Sequence, residues 1–210
     1  MLQKRLQHGG AETRSFKTLL GRMTIQTITV ARRMLDATHE SHSTGIMAVL
    51  LDWAKAFDRV KHEALSHALA RFGLPRQMQD MIDGIYRVRR FVLKDSLGDS
   101  SVRTQTAGIA QGCPLSPYLF VIIQSVMLFD VDSRLQLTYA GHREPPYIVC
   151  AELLYADDTM LVSSGPQTLK ALLEAGIEEG QRYGLELNWQ KTVLMKVKFS
   201  VEILRRTASR

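Results

Sequence analysis

Two adjacent carboxylates, Asp157 and Asp158, lie between short apolar runs, with Val149, Cys150, Ala151, Leu153 and Leu154 on the approach and Met160, Leu161 and Val162 on the exit. Such runs read as a β-hairpin with the acids at its tip. Asp is a poor strand residue, and like charges this close repel unless something positive sits between them. A divalent cation is the usual remedy, because hard ions such as Mg²⁺ take one or two carboxylates and keep positions for water and phosphate. A solvated turn, where Asp is common, is the plainer alternative. The discriminating feature is a third carboxylate at the end of another buried strand. Asp52 supplies it, closing the unbroken apolar run Ile46-Met47-Ala48-Val49-Leu50-Leu51, the pattern of a strand buried on both faces. If the two strands are neighbours, three carboxylates converge on one patch, enough for two divalent ions ~3.5–4 Å apart that clamp the attacking and leaving oxygens of an in-line displacement. The chemistry implied is nucleotidyl or phosphoryl transfer.

The elements that must position these acids are legible in outline. Residues 22–40 read as a helix with Ile25, Ile28, Ala31, Met34 and Leu35 on one face. After the Asp52 strand, a helix near 61–71 closes at Gly73 and Pro75, and a second near 75–87 starts at Pro75. Residues 88–94 and 101–107 read as a strand pair around a turn. Gln111-Gly112-Cys113-Pro114-Leu115-Ser116-Pro117 opens an apolar helix to about Leu135, with Pro117 permitted in its first turn. A polar loop at 140–146 leads into the hairpin, Pro166 starts a helix to about Tyr183 that Gly184 ends, and Leu185–Asn188 and Val193–Met195 finish as short strands. Strands and helices interleave irregularly with hairpins, so the class is α+β rather than a doubly wound parallel sheet. Val49, Leu50, Leu115, Phe120, Ile122, Leu154 and Leu161 are the expected core.

The 210 residues suffice for one large domain or a domain with an appendage. No apolar run approaches a ~20-residue span, and Met1-Leu2-Gln3-Lys4-Arg5 leads into no signal core, so a soluble intracellular chain, nuclear or cytoplasmic and without a membrane, is expected. Two cysteines, Cys113 and Cys150, make no disulfide framework, and His39 and His42 are a helical surface pair rather than a zinc site. The net charge of +6 suits an anionic partner. Its excess lies at the front, where residues 1–40 hold seven Lys and Arg against three acids. A second cluster, Arg87, Arg89, Arg90 and Lys94, reads either as a track for a phosphate backbone or as a solvated helix end where cations are favoured.

Four blocks occur in order: Asp52-x-x-Lys55-Ala56-Phe57-Asp58, Gln111-Gly112-Cys113-Pro114-Leu115-Ser116-Pro117, Tyr155-Ala156-Asp157-Asp158, and Gly184-Leu185-x-Leu187-Asn188-x-x-Lys191-Thr192. Over residues 46–195 they resemble the successive palm motifs of reverse transcriptases, in the flavour of non-LTR (LINE-type) retrotransposons. The resemblance implies an antiparallel palm sheet of about four strands backed by helices, the acids on its open face, with a short helical fingers remnant. It implies a partial fingers segment at 1–45, a palm at 46–200, and a tail at 201–210 with no thumb and no endonuclease domain. It also implies an RNA-directed DNA polymerase domain, a fragment of a retroelement protein, working on an RNA template, a DNA primer and deoxynucleoside triphosphates with two Mg²⁺ or Mn²⁺ ions.

Placed residue by residue, Asp52 and Asp157 become metal ligands and Asp158 their companion acid. Phe57 becomes the wall that rejects a 2′-hydroxyl, since a buried ring cannot satisfy it; its plain reading is a core aromatic. Gln111 and Gly112 pack against the incoming nucleotide, Tyr155 borders the primer end, and Lys191 protonates the departing pyrophosphate. Asp58 and Lys55 read as structural. Of the family's fingers block only Gly21-Arg22-x-Thr24 is kept, so Arg22 is the candidate phosphate contact there, and Ala110 stands where many relatives have Arg. Two other readings stand beside this one: a catalytically idle remnant that at most binds nucleic acid, and another palm-type two-metal enzyme such as a nucleotide cyclase, against which the Gln111–Pro117 block speaks.

Overall fold

The computed structural model describes residues 24–40, 45–87, 89–92, 94–96, 98–138, 148, 151–155 and 157–197. Arg22, the rest of the segment before Thr24, the 140–146 loop and the 201–210 tail lie outside the described residues.

The apolar run Ile46–Leu51 forms β1, at the interior of a four-stranded antiparallel sheet in the order β6-β7-β1-β8. Strands β6 (Glu152–Tyr155) and β7 (Asp158–Ser163) are the expected hairpin, and β8 (Val193–Val197) closes the other edge. Side chains alternate across a strand, and the two faces have separate cores. Met47, Val49, Leu51 and Leu161 pack with Phe120, Ile123, Met127, Leu169 and Leu172 on one face. Ile46, Ala48, Leu153 and Val162 pack with Met34 on the other.

The first face is covered by two long helices, numbered α5 and α6 in chain order. Helix α5 (Ser116–Thr138) is apolar nearly all round, which suits a helix enclosed by the core. Helix α6 (Pro166–Tyr183) has Pro at its start and ends at Gly184, whose φ of 88° only glycine adopts without strain. Helices α3 (His62–Arg71) and α4 (Arg76–Tyr86) extend this layer, and Arg71 makes two hydrogen bonds of 2.5 Å to Asp130, tying α3 to α5. Helix α1 (Thr24–Glu40) covers part of the second face. The remaining elements are a short α2 (Ala56–Arg59) and two two-stranded ribbons, β2 (Arg90–Phe91) with β5 (Arg103–Thr104) and β3 (Lys94–Asp95) with β4 (Gly98–Asp99). Among the described residues no helix is long and apolar enough to cross a membrane.

The expected core is met at Val49, Phe120, Ile122 and Leu161, while Leu115 and Leu154 are partly buried against it. Leu50 is the correction: it is 39% exposed, whereas Ile46 and Ala48 on the same face are buried in the cluster that holds Met34 of α1. The stretch 185–188 is not a strand either. It makes a single bridge, Leu187 to Trp53, and otherwise runs as a loop.

Candidate active site

The pairing of β1 with β7 runs from Met47↔Ser163 to Leu51↔Thr159. One step further in that register sets Asp52 beside Asp158. Antiparallel neighbours stand ~4.5–5.5 Å apart at Cα, so the two acids share one end of the sheet and, by alternation, the face carrying Leu50 and Met160. The β6–β7 pairing ends at Tyr155↔Asp158, which places Asp157 in the connecting turn. Asp157 and Asp158 are exposed and Asp52 is partly exposed. Partial desolvation, and then the charges of Asp157 and Asp52, push the Asp158 carboxyl above its ordinary value. Two segments, the end of β1 and the β6–β7 hairpin, therefore deliver three carboxylates to one end of the sheet.

The acids are gathered but not closed. Among the described residues no three His, Cys, Asp or Glu side chains form a ready cation cage, and like charges are not drawn together without a cation between them. The donor set nevertheless suits a divalent ion: hard carboxylate oxygens, solvent access, and a mutual repulsion that a cation relieves.

Beneath the acids lies a buried network that sequence reasoning missed. The Trp53 Nε1–H and the Gln124 amide both donate to Thr159 Oγ1, each at 3.1 Å. Trp53 follows Asp52 and Thr159 follows Asp158, so one hydroxyl links the two acid-bearing strands to α5. The available signal was a lone Gln within the apolar run Phe120–Phe129, since a buried amide needs a partner.

The fourth block folds back onto Asp52. The Asn188 N–H donates to the Asp52 carbonyl and the Ala54 N–H to the Glu186 carbonyl, both at 2.8 Å. This brings Lys191 Nζ to 3.9 Å from Asp52 Oδ2. Lys191 thus stands beside the acids, with its exposed ammonium pointing at the patch where phosphate chemistry is expected.

The second block is tied to the segment that follows Asp52. The Ile109 N–H donates to the Phe57 carbonyl and the Gly108 N–H to the Val60 carbonyl, both at 2.7 Å. The Gln111 amide donates to Asp58 Oδ1 at 2.9 Å, so Asp58, read from sequence as structural, aims the glutamine. Gly112 has φ 80° and nothing within 4 Å of where a Cβ would stand, leaving its backbone open to a ligand. Phe57 stacks on Phe120 with ring centroids 4.9 Å apart, which fixes the ring from behind. The Cys113 thiol in the same turn is held below its ordinary pKa, chiefly by the Leu115 backbone N–H, with Ser116 and the Arg89 charge contributing. Tyr155 ends β6 next to the acids.

Residues 1–204 match the family described as reverse transcriptase (RNA-dependent DNA polymerase). The chain belongs to the reverse transcriptase family. It is 30% identical over 146 residues, 68% of its length, to the Pol polyprotein of the R2 retrotransposable element of Nasonia vitripennis, and covers 13% of that protein. It is 25% identical over 170 residues, 81% of its length, to the corresponding R2DM polyprotein of Drosophila melanogaster, covering 15% of it. The chain therefore spans under a quarter of these relatives, and their R2 origin agrees with the non-LTR flavour of its motifs. Among solved structures, telomerase from Candida albicans in complex with a fragment of telomeric RNA superposes with a TM-score of 0.64 at 14% identity, covering 92% of this chain and 32% of the telomerase. Apo telomerase from Candida tropicalis, truncated of its C-terminal domain, gives 0.62 at 16%, covering 87% and 36%. At such identity the likeness establishes the fold, an α+β reverse-transcriptase palm.

Proposed function

We propose that this domain performs template-directed nucleotidyl transfer, extending a DNA primer 3′-hydroxyl on an RNA template with deoxynucleoside triphosphates. The observation that carries the reading is the register that sets Asp52 beside Asp158, with Asp157 in the adjoining turn. Asp52 and Asp157 would hold two Mg²⁺ or Mn²⁺ ions, with Asp158 as companion acid; such ions activate the hydroxyl and neutralise charge on the phosphates. The chain's own groups do the rest. Gln111, aimed by Asp58, and the open backbone of Gly112 receive the nucleotide, and Phe57, backed by Phe120, limits room at the sugar. Lys191 stands where it can give a proton to the departing pyrophosphate. Tyr155 borders the primer end, and Arg22, in the 1–45 segment taken as partial fingers, would meet phosphate.

The test is primer extension on an RNA template with Mg²⁺ or Mn²⁺, comparing the chain with its Asp157→Asn, Asp158→Asn variant. Extension should fall by at least about a hundredfold, the scale of losing one preorganised electrostatic contributor. Absence of extension in both, with nucleic-acid binding retained, would instead identify an idle palm.

A further inference from the structure

The β2–β5 ribbon belongs to none of the machinery above, yet its surface is specialised. Arg90 pairs with Thr104 and Phe91 with Arg103, so the ribbon brings Arg103 of β5 beside Arg90 of β2, with Arg89 just before that strand and Arg87 at the end of α4. All four are exposed, and none has an ion-pair partner among the described residues. Of the seven other described arginines, six, Arg32, Arg59, Arg71, Arg76, Arg134 and Arg182, are paired with an acid, and Arg33 is not. By alternation along the strands, Phe91, 43% exposed, shares a face with Arg103 and Arg89, while Val92, 40%, and Val102, 64%, share the other face with Arg90. An exposed ring beside exposed guanidinium groups suits a single nucleic-acid strand, since phosphates take the charge and an unpaired base takes the π-face.

The ribbon is also fastened to the nucleotide wall. The Gln105 N–H donates to the Arg89 carbonyl at 2.8 Å, Ala107 bridges to Lys61, and the chain then runs through Gly108 and Ile109, bound to Val60 and Phe57, into Gln111. Arg103 is eight residues from Gln111, at most about 28 Å of extended chain. A stacked strand rising ~3.4 Å per nucleotide covers that in about eight nucleotides.

We propose that the β2–β5 ribbon is a binding surface for single-stranded nucleic acid, with Arg89 and Arg103 beside Phe91, and Arg87 and Arg90 at its margin, neutralising backbone phosphates and Phe91 stacking on a base. It would hold the template strand within about eight nucleotides of Gln111. That the strand is the template rests on the polymerase reading; the binding does not, and it is tested without catalysis.

Fluorescence anisotropy with a labelled, mixed-sequence single-stranded RNA of about twenty nucleotides, without metal or nucleotide, across 50–200 mM KCl, decides the matter. Replacing the four arginines by Ala should weaken binding at least about tenfold and flatten the slope of log affinity against log salt by about 3, near 0.7 per lost phosphate contact. Phe91→Ala should weaken it about fivefold or more. The four-Lys version should keep most of the salt slope, separating charge from a structural need for arginine. A control carrying Arg32→Ala, Arg33→Ala, Arg76→Ala and Lys170→Ala removes as much charge elsewhere and should bind like the parent. Unchanged binding in the ribbon variant, or an equal loss in the control, overturns the proposal, even in a chain that extends primers. Ribbon-dependent binding in a chain that cannot extend a primer would leave this surface standing and sink the polymerase reading.

Discussion

Thr159 shows how much of this site depends on a residue with no part in the chemistry. Its hydroxyl oxygen accepts from two buried donors, on Trp53 and Gln124, directly under the acids. Thr159→Val keeps the shape and strands both donors, so unfolding in urea should reveal a loss of about 2–4 kcal/mol, whereas Thr159→Ser, which keeps the acceptor, should cost about 1 kcal/mol. Equal losses would mean that the methyl, not the hydrogen bonds, matters. Phe57 poses the complementary question of selectivity. Its ring rests on Phe120, which is fully buried, so the wall cannot recede when a larger sugar arrives. In the proposed reaction Phe57→Val should raise the ratio of ribonucleotide to deoxyribonucleotide use, in kcat/KM, by about tenfold, the scale on which an apolar pocket discriminates. Phe120→Leu should move that ratio the same way by less, and an unmoved ratio in Phe57→Val would return Phe57 to the role of an ordinary core aromatic.

At the scale of elements, the site is a meeting of one strand end, one hairpin turn and two loops. The loop after α6 is the most demanding. Gly184 must reverse the chain at φ 88°, and a Cβ there would collide with the carbonyl oxygen of Arg59. From that turn the chain reaches Asn188, whose N–H holds the Asp52 carbonyl, and then Lys191. Gly184→Ala should therefore cost at least about 2 kcal/mol in chemical denaturation. It should also lower the activity of the fraction that remains folded, because the turn and the placement of Lys191 are one structure. A loss of stability without a loss of activity would uncouple them.

For the molecule as a whole, the uncovered region is as telling as the core. Strand β8 is an edge, with Val193, Leu194 and Met195 exposed, and Leu50 and Trp189 are exposed as well. An open apolar edge is a template for association. Sedimentation velocity of this chain should show concentration-dependent self-association that Val193→Lys with Leu194→Lys suppresses; a monodisperse parent at about 100 μM would contradict it.

Much of this was legible in the residues themselves. The apolar run ending at Asp52, the hairpin around Asp157 and Asp158, the Pro166 start and Gly184 stop of α6, and the order of the four blocks depend on local periodicity, turn chemistry and motif spacing, all carried by neighbours in the chain. Helix α5 was legible for the same reason. Other features depend on which segments meet. Leu50 looks like core because five apolar neighbours surround it in sequence; it is exposed because the cluster that buries Ile46 and Ala48 on the same face does not include it. Asp58 and Gln111 are 53 positions apart and become partners only when the 108–111 segment pairs alongside 57–60. Arg103 joins Arg87, Arg89 and Arg90 only through the register of β2 with β5. Sequence determined the parts and their chemistry, because those are properties of short stretches. Tertiary structure decided the faces, the partners and the open surfaces, because burial and hydrogen bonding between distant segments exist only once the chain has folded.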